Sequence, residues 1–288
     1  MSGQPRKIAF GWYGGKFSHL KWLLPLLPKA KHFCEPFGGS AAVLINRIPS
    51  PVETYNDIDG EVVNFFGVLR DQPEEIIRAI GLTPFSREEF RQAIQAPTDI
   101  LTAVERARRF YICARQVRTG LAQTASEGRW AHCTLTSRAG MAGAVSRWLG
   151  AIDHLPDIAQ RLLRVQLENA PAIEVINRYD TTDTLFYCDP PYPHESRGDS
   201  KAYGYEMTDE AHRELAAVLR QCKGKVAVSS YRCKLTAEIY AGWECFEAPA
   251  KLCHSVKTLR REALFVNYEL GTLTSPLVSR NRGPLMSP

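Results

Sequence analysis

Two apolar segments separated by one amphipathic helix constrain the fold of this chain more than any other feature. Segments 184–192 and 225–231 are short, rich in β-branched and aromatic residues, and bounded by turn residues, as β-strands are. Between them, apolar residues recur at helical spacing after a Thr208 cap and stop before Gly224. A strand–helix–strand unit of this length joins parallel strands, so the sequence predicts an α/β fold with a doubly wound sheet.

The alternation of strands and helices covers two parts of the chain and is interrupted between them. It extends over residues 1–69 and 165–270, whereas 70–164 has helical patterns and few strand signals. The last segment, 271–288, has no periodicity. We therefore predict a core domain of 1–69 plus 165–270, an inserted helical domain over 70–164, and a flexible tail over 271–288.

The predicted helical insert carries the positive charge of the chain. From Gly81 to Val165 there are twelve arginines, no lysines and seven acidic residues, a surplus equal to the whole net charge of +5. Such a segment is either a solvated helical surface or a contact surface for a polyanion, and guanidinium groups favour paired hydrogen bonds to phosphate and bases. The candidates for nucleic-acid contact are Arg108, Arg109, Arg115 and Arg118, although at helical spacing some of them must face solvent or the core.

Several classes of protein do not fit this sequence. No segment approaches the roughly 20 apolar residues of a membrane span, and the N-terminal segment lacks the apolar run of a signal peptide, so we expect a cytoplasmic protein without a membrane partner. No two of the eight cysteines have C-x-x-C spacing, so we expect no metal site.

Two motifs at predicted strand ends are typical of a nucleotide-like cofactor site. In 35–43 (EPFGGSAAV) a strand ends, small residues make a turn and a helix begins, which lets the backbone approach a ligand closely. About twenty residues later, 56–59 (NDID) ends the next strand with a carboxylate suited to ribose hydroxyls. The alternatives are a plain strand–helix connection for the first motif and a helix cap on Asp57 or Asp59 for the second.

A third motif, Asp189-Pro190-Pro191-Tyr192, follows the buried strand and is the most specific signal in the chain. The two prolines fix the backbone and remove two N–H donors, which leaves carbonyl acceptors beside a carboxylate. An exocyclic amine offers two donors, so it can bond Asp189 and the Pro190 carbonyl together. Tyr192 adds a flat face on which a base can stack. The alternative is a proline-rich turn with a packed tyrosine.

Over most of residues 8–270, the chain resembles the D12-class (Dam-like, α-group) adenine-N6 DNA methyltransferases of bacteria and phages. In chain order, the matching segments are WYGGK (12–16), EPFGGSAAV (35–43), NDID (56–59), DPPY (189–192), GKVAVSSY (224–231) and EALFVNY (262–268). In that α group the target-recognition segment lies between the motif that corresponds to NDID (56–59) and DPPY, as the basic helical insert does here.

The resemblance implies a Rossmann-like fold that binds S-adenosyl-L-methionine (AdoMet) as methyl donor, with no metal. It implies methylation of adenine N6 in DNA, with the target base flipped out of the duplex. The implied partners are double-stranded DNA and, in a restriction–modification setting, a cognate restriction endonuclease. The implied catalytic residues are Asp189, Pro190 and Tyr192. The implied AdoMet-binding residues are Trp12, Lys16, Glu35, Pro36, Phe37, Gly39, Asp57, Asn169 and Asp189.

Two positions depart from the family pattern. Ala41 stands where the family loop usually has its second glycine. Pro171 stands where an acidic residue usually lies near the adenine ring of the donor, so Asn169 or Glu168 is expected to substitute.

Other functions remain open at this point. A cytosine-N4 methyltransferase would use the same chemistry, although such enzymes more often carry serine in place of Asp189. A DNA-binding companion subunit with a degenerate site is the second alternative, and the intact 189–192 motif disfavours it. A small-molecule methyltransferase is the third, and the basic insert disfavours it.

Overall fold

The structure is a computed structural model, and it describes residues 6–95, 100–118, 122, 125–134, 136–138, 140–196, 205–253, 258–270 and 279–280. The chain divides into two compact units. The helical unit comprises Met1–Phe17, Gly39–Arg47 and Asp59–Asn169. The sheet unit comprises Ser18–Gly38, Ile48–Ile58 and Ala170–Pro288.

The described elements alternate between strands and helices in the outer parts of the chain. The strands are β1 (His32–Glu35), β2 (Val52–Asn56), β3 (Ser137–Arg138), β4 (Met141–Ala142), β5 (Gln166–Glu168), β6 (Thr184–Cys188), β7 (Lys225–Tyr231), β8 (Glu244–Glu247), β9 (Lys251–Cys253), β10 (Thr258–Arg260), β11 (Glu262–Val266) and β12 (Ser279–Arg280). The helices are α1 (Leu20–Leu23), α2 (Ala42–Asn46), α3 (Gly60–Asp71), α4 (Pro73–Gly81), α5 (Arg87–Gln95), α6 (Ala103–Gln116), α7 (Gly143–Ile152), α8 (Leu155–Leu162), α9 (Ala172–Tyr179), α10 (Asp209–Gln221) and α11 (Lys234–Ile239).

Within the sheet unit, seven strands pair in the order β12-β8-β11-β7-β6-β1-β2. The strands β2, β1, β6 and β7 run parallel to one another. The pairs β7–β11, β11–β8 and β8–β12 are antiparallel. From β1 the chain proceeds outward to β2, and from β6 it proceeds in the opposite direction to β7. The strand order therefore reverses between β1 and β6, and the predicted α/β class is confirmed.

The strand–helix–strand unit that dominates the sequence forms as predicted. The Thr208 hydroxyl accepts the Ala211 N–H at 3.2 Å and caps α10, which lies between the parallel strands β6 and β7. Gly224 lies beyond the helix end rather than at it. A Cβ there would come within 2.8 Å of the Thr184 carbonyl oxygen, so glycine allows β7 to begin tightly beside β6.

The core of the sheet unit follows the two-residue period of its strands. Alternate residues of β6 and β7 belong to one buried cluster: Phe186, Cys188, Val226 and Val228. Apolar residues of α9, α10 and α11 belong to the same cluster, which removes this face of the sheet from water.

The helical unit is organised around an aromatic cluster. Phe65 of α3 stacks on Tyr111 of α6 with ring centroids 5.5 Å apart. Phe10 and Phe110 pack edge to face at 5.2 Å, and Phe66 lies 5.6 Å from Phe10. These contacts join α3 and the N-terminal segment to α6, because large rings bury the most apolar surface together.

Because these aromatic contacts tie the N-terminal segment and α3 to α6, the boundaries of the two units differ from the predicted domain boundaries. The prediction assigned 1–69 to the core domain, whereas residues 1–17, 39–47 and 59–69 belong to the helical unit. The predicted helices of the insert are present as α4 to α8, together with the short antiparallel pair β3–β4. Apart from β12, the predicted tail lies outside the described residues. In the part of the chain that the structure describes, no helix is long and apolar enough to cross a membrane.

Ala41 has an unusual backbone conformation. It precedes α2 with φ at 53° and ψ at 27°, in the left-handed region, and its side chain is fully buried. Glycine adopts this conformation without strain, whereas a Cβ makes it unfavourable. The departure of Ala41 from the family pattern is thus a source of local strain.

Replacing Ala41 by glycine is expected to raise the free energy of unfolding by up to about 1 kcal/mol, since the left-handed region disfavours alanine by roughly that amount. The matched control is Ala216→Gly in α10, which also removes a buried methyl group but lies in an ordinary helix. It is expected to lower the free energy of unfolding by about 1 kcal/mol. Urea unfolding followed by circular dichroism measures both. Equal destabilisation by the two substitutions would contradict the assignment of strain to Ala41.

Candidate active site

The ends of β1 and β6 lie side by side at the point where the strand order reverses. The pairing register places Cys34 opposite Phe186, so Glu35 at the end of β1 and Asp189 after β6 lie at the same edge of the sheet. Ligands of open α/β sheets bind outside the carboxyl ends of strands at such a point. Glu35 and Asp189, which are 154 positions apart in the sequence, are thereby brought to one edge of the sheet unit.

The Asn56 side chain links two segments at this edge. Its Nδ2 donates to the Pro36 carbonyl at 2.8 Å and to the Ala170 carbonyl at 3.0 Å, and its Oδ1 accepts the Ala170 N–H at 3.0 Å. The Asn56 carbonyl also accepts the Gly38 N–H at 2.8 Å. Asn56 is fully buried, so these bonds are shielded from water. Sequence reasoning assigned a role to its neighbour Asp57 and missed Asn56.

The glycine pair of the first motif is required by two different neighbours. In the sheet unit, a Cβ at Gly38 would lie 2.1 Å from Cε2 of Tyr55. In the helical unit, Gly39 has φ at 48°, and a Cβ there would lie 2.7 Å from Nε1 of Trp12. Packing against protein side chains therefore requires glycine at both positions, and the cofactor-loop interpretation stays a prediction.

The carboxylates of the second motif separate into two roles. In the helical unit, Asp59 is the N-cap of α3, and its side chain accepts the Glu61 N–H at 2.9 Å. In the sheet unit, Asp57 follows the end of β2 and is 9% exposed. The helix-cap alternative therefore applies to Asp59, and Asp57 is the candidate for binding ribose hydroxyls.

Three acidic side chains act together on the buried phenol of Tyr187. Burial raises the pKa of Tyr187 well above its ordinary value, and the charges of Asp189, Glu262 and Glu35 raise it further. The Tyr187 hydroxyl lies 2.8 Å from Ser229 Oγ. Carboxylates this close produce a negative potential that suits a cationic ligand such as a sulfonium or an ammonium group. Among the described residues, no group of His, Cys, Asp and Glu side chains has the arrangement of a metal site.

Tyr192 is held more firmly than the sequence suggested. Its hydroxyl donates to the carboxylate of Glu262, and its ring packs edge-on against Tyr231 with centroids 4.9 Å apart. Burial, and then the charge of Glu262, raises the pKa of Tyr192 well above its ordinary value, so the phenol stays protonated as the donor. The ring is only 3% exposed. Glu262 lies in the matched 262–268 segment, but sequence reasoning gave it no role.

Phe37 lies in the sheet unit and packs against its core cluster, whereas the remaining AdoMet-binding candidates lie in the helical unit. Lys16 is 3% exposed and its Nζ donates to the Gly14 carbonyl at 2.7 Å, so it is not a solvated loop lysine. Trp12 is half-buried, and its carbonyl accepts the Gly15 N–H at 3.0 Å. Asn169 is exposed, next to the end of β5.

Two of the four candidate arginines are committed to ion pairs inside the helical unit. Arg108 Nε lies 2.8 Å from Glu105, and its Nη1 lies 2.8 Å from Glu89. Arg109 Nε lies 2.6 Å from the same Glu105. These pairs join α5 to α6 and hold the guanidinium groups against their own helices.

The other two arginines have no carboxylate partner within the described residues. Arg115 is half-buried and donates to the Arg147 carbonyl at 2.7 Å. Burial lowers the pKa of Arg115. Arg118 is exposed and contacts the ring of His132 at 3.0 Å. Of the four candidates, these two retain a charge that is not neutralised by an acidic neighbour.

The cysteine beside the third motif has a packing role. Cys188 is fully buried in β6, and burial raises the pKa of its thiol well above the ordinary value. None of the seven cysteines with described side chains is in a disulfide.

Exchanging Asn56 for aspartate is expected to lower the free energy of unfolding by about 1–3 kcal/mol, because the buried carbonyls of Pro36 and Ala170 lose their donor. Asn64→Asp is the control, since the Asn64 amide makes one surface hydrogen bond, to Ala103. Its effect should stay within about 0.5 kcal/mol. Denaturant unfolding measures both. Similar values for the two would show that Asn56 does not stabilise this edge of the sheet.

The sequence of the chain is similar to a family of known proteins. The model of the D12 class N6 adenine-specific DNA methyltransferase family matches residues 12–258. Type II methyltransferase M1.LlaDCHI of Lactococcus lactis subsp. cremoris is 29% identical over 130 residues, which are 41% of this chain and 44% of that enzyme. DNA adenine methylases of two Vibrio cholerae serotype O1 strains are each 24% identical over 249 residues, which are 80% of this chain and 83% of theirs.

The family match spans most of the chain and includes every motif described above except the last, 262–268. It confirms the resemblance that the motifs predicted, and it implies AdoMet as the methyl donor and DNA as the substrate. The chain belongs to the D12 class of N6 adenine-specific DNA methyltransferases.

Proposed function

We propose that this enzyme flips an adenine out of duplex DNA and methylates its N6 at the edge where β1 and β6 end. The observation that carries the proposal is the β1–β6 register, which places Glu35 and Asp189 at one edge of the sheet where the strand order reverses. A donor-binding loop and an amine-binding motif at one edge bring methyl donor and acceptor into contact, which contributes much of the rate.

The sheet-unit residues fit the chemistry of the donor. Glu35, with the backbone of Pro36 and Phe37, forms the loop that would receive the methionine end, and Asp57 offers a carboxylate to the ribose hydroxyls. Bound AdoMet supplies an electrophilic sulfonium methyl group, so the chemistry requires no metal. The donor contacts of Trp12, Lys16, Gly39 and Asn169 stay predictions of the resemblance, as does the contact of Asp189 with the donor.

Asp189 and Pro190 would orient the target amine. The adenine amine is a poor nucleophile because its lone pair is delocalised into the ring. Accepting its two N–H groups, one on the Asp189 carboxylate and one on the Pro190 carbonyl, favours a geometry in which the lone pair points out of the ring plane. Asp189 need not be a strong base, because the amine proton becomes acidic only as the methyl group transfers.

Tyr192 would stack on the extruded base. Extrusion costs roughly a few kcal/mol, and stacking on an aromatic ring returns about 1–3 kcal/mol. Because the ring is 3% exposed, stacking requires that covering groups move aside. Base entry is therefore coupled to a local rearrangement around Tyr192.

Arg115 and Arg118 are the preferred candidates for contact with the DNA backbone. Their charges are not neutralised by described acidic residues, whereas Arg108 and Arg109 are paired with Glu105. Phosphate contacts of this kind supply affinity without sequence specificity.

Asp189→Ala is expected to reduce methylation by at least about 100-fold, because the amine loses its charged acceptor. The enzyme is incubated with labelled AdoMet and mixed-sequence DNA, and the nucleosides are analysed by mass. Asp183→Ala is the control, since Asp183 pairs with Lys31 at the surface. N6-methyladenine from the wild type and the control, but not from the Asp189 variant, is the expected result.

The same assay separates the alternatives. Detection of N4-methylcytosine would support methyl transfer to an exocyclic amine but would show that cytosine, not adenine, is the substrate base. No methylated nucleoside, together with normal AdoMet binding, would favour a DNA-binding companion subunit with a degenerate site.

Arg118→Ala is expected to weaken DNA binding on all sequences and to reduce the slope of log K against log salt by about 1, the loss of one phosphate contact. Arg108→Ala is the comparison. It should leave the slope unchanged and lower the free energy of unfolding by about 1–3 kcal/mol, because Glu89 loses its arginine partner and Glu105 keeps only Arg109. Fluorescence anisotropy with labelled duplexes at several salt concentrations measures the slopes. A larger change of slope for the Arg108 variant would contradict the assignment.

The biological setting follows from the same proposal. A bacterial or phage-encoded enzyme that methylates DNA would act in the cytoplasm. The similarity to a type II methyltransferase favours a cognate restriction endonuclease as a partner, and co-purification of such an endonuclease would test it.

A further inference from the structure

Glu262 is an acidic residue in an otherwise apolar, buried strand. The residues that follow it in β11 are buried and apolar: Ala263, Leu264, Phe265 and Val266. Glu262 itself is 5% exposed. Placing a carboxylate in such an environment is costly unless hydrogen bonds compensate it. The nearby charges of Asp189 and Glu35, which act on the same Tyr187, increase that cost.

The Glu262 carboxylate accepts the hydroxyl proton of Tyr192. Glu262 is the first residue of β11 and pairs directly with Tyr231 at the end of β7. Tyr231 holds the same tyrosine from another side, because the two rings meet edge to face at 80°. Two neighbouring strands thus fix one ring at two separate points, the hydroxyl and the edge.

The backbone adds a third restraint. Tyr192 follows Pro190 and Pro191, whose rings limit the backbone torsions before it. With its hydroxyl, its edge and its preceding backbone restrained, the tyrosine ring has a set plane before any substrate arrives. Preorganised groups of this kind raise the rate because they need no reorientation during the reaction.

We infer that Glu262 is a positioning residue for methyl transfer, whose buried carboxylate sets the plane of Tyr192 and thereby the position of the target adenine. The inference rests on the proposed function, since it assumes that the adenine stacks on Tyr192. Glu262 acts through the tyrosine and touches neither the methyl donor nor the base.

A double-mutant cycle tests the inference. Glu262→Leu removes the acceptor, Tyr192→Phe removes the donor but keeps the ring, and the third variant combines both. The kcat and KM for mixed-sequence DNA that lacks N6-methyladenine are measured, together with AdoMet affinity by calorimetry. Glu262→Gln retains an acceptor oxygen, and Glu238→Gln is the surface control, since Glu238 pairs with exposed Arg213.

Each single variant, Glu262→Leu and Tyr192→Phe, is expected to lower kcat by at least about 10-fold, because small misplacements of a reacting group have effects of this size. The double variant should be no worse than either single variant. Glu262→Gln should remain within about 3-fold of the wild type, since the amide oxygen still accepts the hydroxyl proton. AdoMet affinity should change little in all of them.

Three results would overturn the inference. The first is a kcat loss for Glu262→Leu that persists unchanged when Tyr192 is already phenylalanine. The second is a Glu262→Gln variant as impaired as Glu262→Leu, which would assign the effect to charge. The third is wild-type kcat in Tyr192→Phe, and this result decides the matter even if Glu262→Leu fails to fold.

The experiment also separates this inference from the proposed function. If the wild-type enzyme forms no N6-methyladenine, the proposed function fails before any variant is compared. If it forms N6-methyladenine and the Tyr192 and Glu262 variants match it, the proposed function stands and only the positioning role is lost.

Discussion

Parallel pairing between β1 and β6 is the constraint on which the candidate site depends. These strands are far apart in the sequence, and their hydrogen bonds bring the end of one motif beside the end of another. Because the strand order reverses there, the connections leave in opposite directions and the edge between them stays accessible to a ligand. The motifs at this edge would be ordinary loops if the two strands were separated in the sheet.

Electrostatics divides the enzyme into regions of opposite character. In the sheet unit, the charges of Asp189, Glu262 and Glu35 all act on Tyr187, which suits a cationic ligand. The helical unit carries the twelve arginines between Gly81 and Val165, but acidic partners in α5 and α6 neutralise part of that charge. The charge count of a segment therefore overstates what is available to DNA, since arginine also serves as a structural link between helices.

Local patterns predicted much of the fold and of the candidate site. The unit β6–α10–β7, its Thr208 cap and the motif residues at strand ends follow from periodicity and turn chemistry. The roles of Asn56 and Glu262 depend on contacts with residues 114 and 70 positions away, which no local pattern specifies. Helical spacing could have predicted the pairing of Glu105 with Arg108 and Arg109, because residues three and four apart share a helix face. The unit boundaries depend on aromatic packing between α3 and α6, which the alternation of strands and helices does not encode.

The amide of Asn56 couples two segments that lie far apart in the sequence. Its bonds to Pro36 and Ala170 are short and shielded, so a small outward movement of the loop would leave buried carbonyls unpaired before water could reach them. These bonds tie the segment at 36 to the segment at 170, so moving one segment without the other would cost hydrogen-bond free energy.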